Sequence, residues 1–209
     1  MGQLIKLFED NKLVEKIRKR LPYLFQLAEL ESSRAGKTGM EVGSVRERII
    51  VALLIYKFGE DNVKTEIPIV KHEIDVEIFG EPISIKTITG KSFSGVKLIW
   101  TVDAQKSYDF RQSYYPHCDI LLVQINWGDT GGFYYIPLEV QTKLFDRIGR
   151  EKYIKLPKSG TNPRGVEITK EALLSLVGDS EGKSIEINWR RNKIDFNPYK
   201  RWVDFWRED

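Results

Sequence analysis

The spacing of hydrophobic residues changes once along the chain, and this change restricts the fold more than any other feature. In the N-terminal part, Leu4, Ile5, Leu7, Phe8, Leu13, Val14, Ile17 and Leu21 fall near a 3.6-residue period, which predicts helix. Pro22 is expected to interrupt it, with a second helical stretch over Tyr23–Leu30, so residues 1–31 read as N-terminal helices. A glycine-rich loop, Ser32–Gly43, follows. Ser44 then fits an N-cap, with Glu47 three residues on completing a capping box, and a helix over 44–59 stops at Gly59.

Beyond that point the pattern becomes one of strands. Val63–Val70, Glu73–Phe79, Pro82–Thr89, Leu98–Val102, Ile120–Trp127 and Phe133–Pro137 are short, rich in Ile and Val, and bounded by turn residues, so 63–140 reads as a sheet. Gly80-Glu81-Pro82 makes a tight connection between two of them. Helices are expected over Ser107–Tyr115, Leu138–Ile148 and Thr169–Val177, the last capped by Thr169. Residues 155–165 form a basic loop, Ile185–Trp189 a late strand, and Trp202 and Trp206 mark an aromatic end. Helices first, then strands, then mixed elements predict one α/β domain over 1–209, with a central mixed sheet flanked by helices.

Composition narrows the function classes. The 209 residues carry 33 Lys and Arg against 30 Asp and Glu, a net charge of +3 too small to name a polyanionic partner. A single cysteine, Cys118, excludes a disulfide framework, a zinc ribbon and an iron–sulfur cluster. Apolar runs such as Ile49–Ile55 are far short of the ~20 residues of a membrane span. The start, MGQLIKLFEDNK, meets acidic residues too early for a signal peptide, so a soluble, cytoplasmic protein is expected.

The segment EIDVEIFGEPISIKT carries the strongest chemical signal. Alternation puts Asp75 and Glu77 on one strand face, and Ser84 and Lys86 on one face of the next strand, so a hairpin brings a carboxylate and a lysine to one side. Metal-dependent phosphodiester cleavage uses this pairing: carboxylates hold Mg²⁺, and an ammonium stabilises developing negative charge. A solvated cross-strand ion pair is the plainer alternative. Ser84 stands where nucleases of this kind have an acid, and Glu47 on the preceding helix is the substitute. The main-chain carbonyl of Ile85 is a further candidate ligand. Basic and glycine-rich loops flank this segment, and Arg34, Lys37, Lys91, Ser92, Lys158, Ser159, Thr161, Asn162 and Arg164 are candidates for contacts to DNA backbone and base edges.

The runs GKTGMEVGSVRERII, EIDVEIFGEPISIKTITG with FSGVKL, IPLEVQTKLF and KLPKSGTNPRGVEIT resemble ThaI-type restriction endonucleases of the PD-(D/E)XK nuclease superfamily. The likeness extends from the first helix to RWVDFW. It implies a restriction-endonuclease-like fold, with Glu47, Asp75 and Lys86 as the active site. It also implies a homodimer that cuts double-stranded DNA at the palindrome CGCG with Mg²⁺, and a host methyltransferase that protects the same site. Met40 matches the position where such enzymes resemble intercalators, which makes it a candidate wedge between base steps. Two departures from the superfamily pattern are the missing proline before Asp75 and the missing acid at 84. The missing acid at 84 favours, as an alternative, a DNA-binding protein of the same fold without activity, and a structure-selective repair nuclease with the same site is a third reading.

Other motifs lead elsewhere. Cys118-Asp119 with Glu139-Val140-Gln141 mimics the nuclease signature but lacks its cation. Ala35-Gly36-Lys37-Thr38 has Glu31 where a phosphate-binding loop needs glycine. His72 and His117 are the only histidines and are assigned surface or structural roles, Cys118 a packing role, and the tyrosine pairs at 114–115 and 134–135 core or interface packing.

Overall fold

The computed structural model describes residues 2–34, 37–38, 41–68, 73–157 and 165–208, with backbone alone at 34, 37 and 38. In chain order the elements are α1 (Ile5–Glu9), α2 (Asn11–Glu31), β1 (Ser33–Arg34), β2 (Lys37–Thr38) and α3 (Val42–Phe58). A 3₁₀ turn over Glu60–Asn62 leads to β3 (Val63–Lys64), β4 (Val76–Ile78), β5 (Glu81–Thr89), β6 (Lys97–Ile99), α4 (Ala104–Ser113), β7 (Asp119–Ile125) and β8 (Thr130–Ile136). Then come α5 (Leu138–Ile148), α6 (Arg150–Tyr153), β9 (Ile154–Lys155), β10 (Val166–Ile168), α7 (Lys170–Val177), β11 (Lys183–Asn188) and α8 (Lys200–Phe205).

A six-stranded mixed sheet in the order β11-β8-β7-β5-β4-β3 forms the centre, as the sequence pattern predicts. Only β5 and β7 run parallel, joined by a crossover through β6 and α4, while the other pairs are antiparallel. One face packs against α1–α3 through Ile17, Phe25, Ile50, Leu54, Val76, Ile83 and Val123. The other face, with Ile88, Ile120, Leu122 and Ile136, packs under α5, α6 and α7. Strand β7 is covered on both faces, which explains its consecutive apolar residues Ile120–Val123.

Several local expectations are corrected. The first helical break is at Asp10, in an extended conformation with its side chain capping the Leu13 N–H, and α2 then runs unbroken through Pro22. Pro22 costs an intrahelical hydrogen bond, but it is buried between Leu21 and Phe25, which are also buried, and tertiary packing overrides the local cost. Helix α3 starts at Val42 rather than Ser44, with no side-chain cap, so Ser44 and Glu47 form no capping box; Gly59 at φ +87° ends it as expected. The sheet is not confined to 63–140: β11 extends it on one edge, while β6 leaves it for a three-stranded sheet with β10 and β9. Lys155 belongs to β9, so the predicted loop begins after it. Helices α5 and α7 form as expected, with the Thr169 hydroxyl capping α7, whereas α4 starts a turn earlier than expected, capped by Asp103, and ends before Tyr114.

A buried ion pair ties these layers together. Glu29 on α2 accepts from Arg46 on α3 at 2.5 Å, from Arg191 at 2.6 Å and from Trp127 Nε1 at 2.8 Å. Burial pulls the Arg46 guanidinium below its ordinary range, and the Glu29 carboxylate counters it. Removing one partner of such a pair strands the other charge in the interior. Glu29→Ala is therefore expected to destabilise the fold by about 3–5 kcal/mol, read from urea unfolding midpoints. A loss near that of an exposed ion pair, below ~1 kcal/mol, would contradict this account.

Candidate active site

The β4–β5 hairpin turns on Phe79 and Gly80, both at positive φ (+50° and +83°). That two-residue turn matches the twist of the strands and fixes their register. Ile78 faces Glu81, Glu77 faces Pro82, and Val76 faces Ile83. The turn is thus one step earlier than the Gly80-Glu81-Pro82 connection expected from sequence. One residue before β4, the Asp75 N–H donates to the Ile83 carbonyl at 2.9 Å. Its carboxylate folds over β5, where Oδ2 accepts from the Ile85 N–H at 2.5 Å and from Ser84 Oγ at 3.3 Å. Lys86 Nζ lies 3.7 Å from the same oxygen, with both side chains mostly buried.

Glu47, in the second turn of α3, lines the same cleft of about 770 Å³ as Asp75, Ile85 and Lys86. Burial, then the charge of Asp75, pushes its carboxyl above the ordinary value, against the pull of Lys86 and Arg48. Two acids that repel each other across one cleft offer oxygen donors that suit a hard divalent cation. Lys97, Lys106, Trp100 and Phe110 complete the walls. Glu167 fixes Lys97 at 3.1 Å and also takes Lys155 at 3.2 Å. Burial raises the Glu167 carboxyl, but the hydrogen bonds from these two lysines outweigh it and leave it lowered. Lys97 Nζ also sits 4.7 Å from the ring centre of Trp100, which is 68% exposed. A cleft with acids at its base and lysines and an open indole on its walls suits a phosphodiester backbone.

The profile of the family described as restriction endonuclease ThaI matches residues 7–208. The chain belongs to the ThaI restriction endonuclease family. A solved structure described as a restriction endonuclease in complex with substrate DNA is 60% identical, with a TM-score of 0.94 and 100% of each chain covered. The comparison with curated proteins gave no match. The protein is accordingly an enzyme, a restriction endonuclease, and the inactive and repair-nuclease alternatives are set aside.

Within this ThaI-family enzyme the remaining candidates are distributed unevenly. Lys91 is exposed and paired with Asp129 at 2.8 Å, and Ser92 bonds Ser94; neither lines the cleft. Arg34 and Lys37 pair through their backbones in the β1–β2 ribbon. Met40, His72, Lys158, Ser159, Thr161, Asn162 and Arg164 lie outside the described residues. Gly165, at φ +100°, lies against the Ile99 carbonyl on the cleft wall, where a Cβ would collide. The sequence reading took in Lys97 only as the end of a basic loop, Lys91–Lys97, and passed over Lys106 and Trp100, the latter read as the middle of a strand that in fact ends at Ile99. The signature-like set at 118–141 is structural: Asp119 accepts from Tyr135 Oη and the Leu138 N–H, and buried Gln141 donates to the carbonyls of Cys118 and Ile136. Tyr114 and Tyr135 are buried, while exposed Tyr115 bonds Asp146, and no helix among the described residues is long and apolar enough to cross a membrane.

Sequence reading also missed Glu73. Its carboxyl is buried, and desolvation, with a smaller push from Asp75 and a pull from Lys86, raises it to about 8. The folded chain therefore keeps a proton that the unfolded chain releases near 4.5. Across that window the native state binds more protons, so stability falls as pH rises and the effect levels off above about 8. In metal-free buffer, Glu73→Gln is expected to match wild type at acid pH and to exceed it increasingly toward alkaline pH. Urea midpoints whose difference does not grow with pH would show that the carboxyl is not held neutral.

Proposed function

We propose that this enzyme is a type II restriction endonuclease of the PD-(D/E)XK kind, which hydrolyses double-stranded DNA at a short palindrome, CGCG, with Mg²⁺ and as a homodimer. The observation that carries the chemistry is the meeting of Glu47, Asp75 and Lys86 in one cleft with cationic walls. The relative described as bound to substrate DNA supports the duplex as substrate. Two copies, each with one such site, suit a palindrome cut on both strands.

In this reading Glu47 and Asp75 are the side chains that hold Mg²⁺, and the carbonyl of Ile85 is a third candidate. When bound, the ion supplies Lewis acidity and lowers the pKa of a coordinated water. The protein's own residues do the rest. The Ile85 N–H and Ser84 hydroxyl hold Asp75 Oδ2 in place, so the carboxylate presents a fixed orientation. Lys86 keeps its ammonium within 3.7 Å of that carboxylate, where it compensates negative charge developing at a neighbouring phosphate. Lys97 and Lys106 hold the backbone against the cleft, and the residues Lys158, Ser159, Thr161, Asn162 and Arg164 are proposed to reach base edges, with Met40 as a wedge at a CG step.

With plasmid DNA and Mg²⁺, discrete fragments ending at CGCG are expected; cleavage without sequence preference would remove the restriction reading of the palindrome. Glu47→Gln and Asp75→Asn should abolish cleavage while retaining DNA binding. Lys86→Ala should lower the single-turnover cleavage rate by roughly 10²–10³-fold with much less effect on the dissociation constant. Equal losses in rate and affinity would make Lys86 a phosphate-positioning group. Met40→Ala should weaken specific binding without lowering the melting temperature, and a fluorescent base beside the CG step should report unstacking with wild type alone. A monomer on sedimentation, both free and DNA-bound, would refute the dimer.

A further inference from the structure

Beside the oxygen-donor pair, three side chains of different donor chemistry converge. Glu73 leads into β4, and His117 and Cys118 lead into β7. A Glu73 carboxylate oxygen, a His117 ring nitrogen and Cys118 Sγ lie within 4.8 Å of one another. Glu73 Oε2 and His117 Nδ1 are 3.7 Å apart. Ligand atoms around a tetrahedral zinc, at bonds of ~2.0–2.3 Å, sit roughly 3.3–3.8 Å apart. One edge is therefore already at metal spacing, and the others close with side-chain movements of about 1 Å. The long contact of Nδ1 with the Tyr115 carbonyl, 3.3 Å, is the hydrogen bond that such a movement gives up.

Burial and access suit a site as well. Glu73 and Cys118 are buried, while His117 is half exposed, and His117 and Cys118 line a cavity of about 230 Å³ that gives an entry path. A second observation is independent of the three ligands. Tyr153 is wholly buried, its hydroxyl has no hydrogen-bond partner among the described residues, and it lies within electrostatic range of the Glu73 carboxyl and the Cys118 thiol. An orphaned buried hydroxyl needs an explanation, and a solvent ligand on a metal is a partner it can use.

We propose that Glu73, His117 and Cys118 form a three-ligand site for a borderline-soft divalent transition metal, zinc above all, with solvent in the fourth position. Thiolate and imidazole select such ions, whereas Mg²⁺ takes oxygen donors, so this site and the Glu47–Asp75 pair differ in the metal they accept. Binding displaces the Cys118 thiol proton and, below about pH 8, the Glu73 carboxyl proton as well; both pass to solvent, and occupancy therefore rises with pH. The bound ion would tie the segment entering β4, two residues before Asp75, to the segment entering β7.

Cobalt is the probe, titrated into the full chain with excess Mg²⁺ to fill oxygen-donor sites. Near one equivalent, a near-ultraviolet thiolate-to-cobalt charge-transfer band is expected, absent in Cys118→Ala and reached only at about tenfold or higher cobalt in His117→Ala. Zn²⁺ well above its dissociation constant should raise the melting temperature of wild type by roughly 5 °C and that of His117→Ala by clearly less. Mg²⁺-dependent cleavage by both variants shows that they fold; if Cys118→Ala does not, the exposed His117→Ala change carries the test. Cobalt binding without the charge-transfer band, or equal zinc stabilisation of wild type and His117→Ala, would overturn the site.

Discussion

The buried carboxylate of Glu29 is the contact on which the rest of the arrangement depends. Charges in a low-dielectric interior are tolerated only when their hydrogen-bonding capacity is met, and Glu29 meets it with Arg46, Arg191 and the Trp127 indole. Those partners come from α3, from the chain after β11 and from the β7–β8 turn, so one side chain joins parts of the molecule far apart in sequence. Arg46 also reaches Thr89 Oγ1 at 3.3 Å, at the end of the strand that carries Lys86. The next residue along α3 is Glu47. The pair therefore sets how the helix bearing one acid lies against the strand bearing the lysine.

Where local pattern alone decides an element, the sequence was legible. Helix α5 and the Thr169-capped α7 follow from spacing and turn chemistry, as does the Gly59 stop, and the alternation around Asp75 and Lys86 anticipated their shared side of the hairpin. Where tertiary contacts decide, it was not. Pro22 reads locally as a helix end, yet burial on both sides keeps α2 intact. Nothing in the β6 segment says that it pairs with β10 instead of joining the main sheet. Glu73, His117 and Cys118 converge only because β4 and β7 both neighbour β5, a relation that no spacing along the chain encodes.

Ser84 shows how the two levels meet. It is 2% exposed, and its hydroxyl donates to Asp75. A carboxylate in its place would put a second negative charge in a buried position at hydrogen-bonding distance from Asp75, with Lys86 as the nearest compensation. Here the second acid arrives from α3 instead, at a distance where Asp75 still raises the Glu47 carboxyl but where the cleft is open to solvent and to cations. The division has a structural consequence. A site whose acids share one hairpin is positioned by strand register, whereas this one also needs a helix docked correctly against the sheet. Its geometry is then linked to the stability of the α2–α3 packing, so a change as remote as Glu29 can act on Glu47 through Arg46 without touching the cleft.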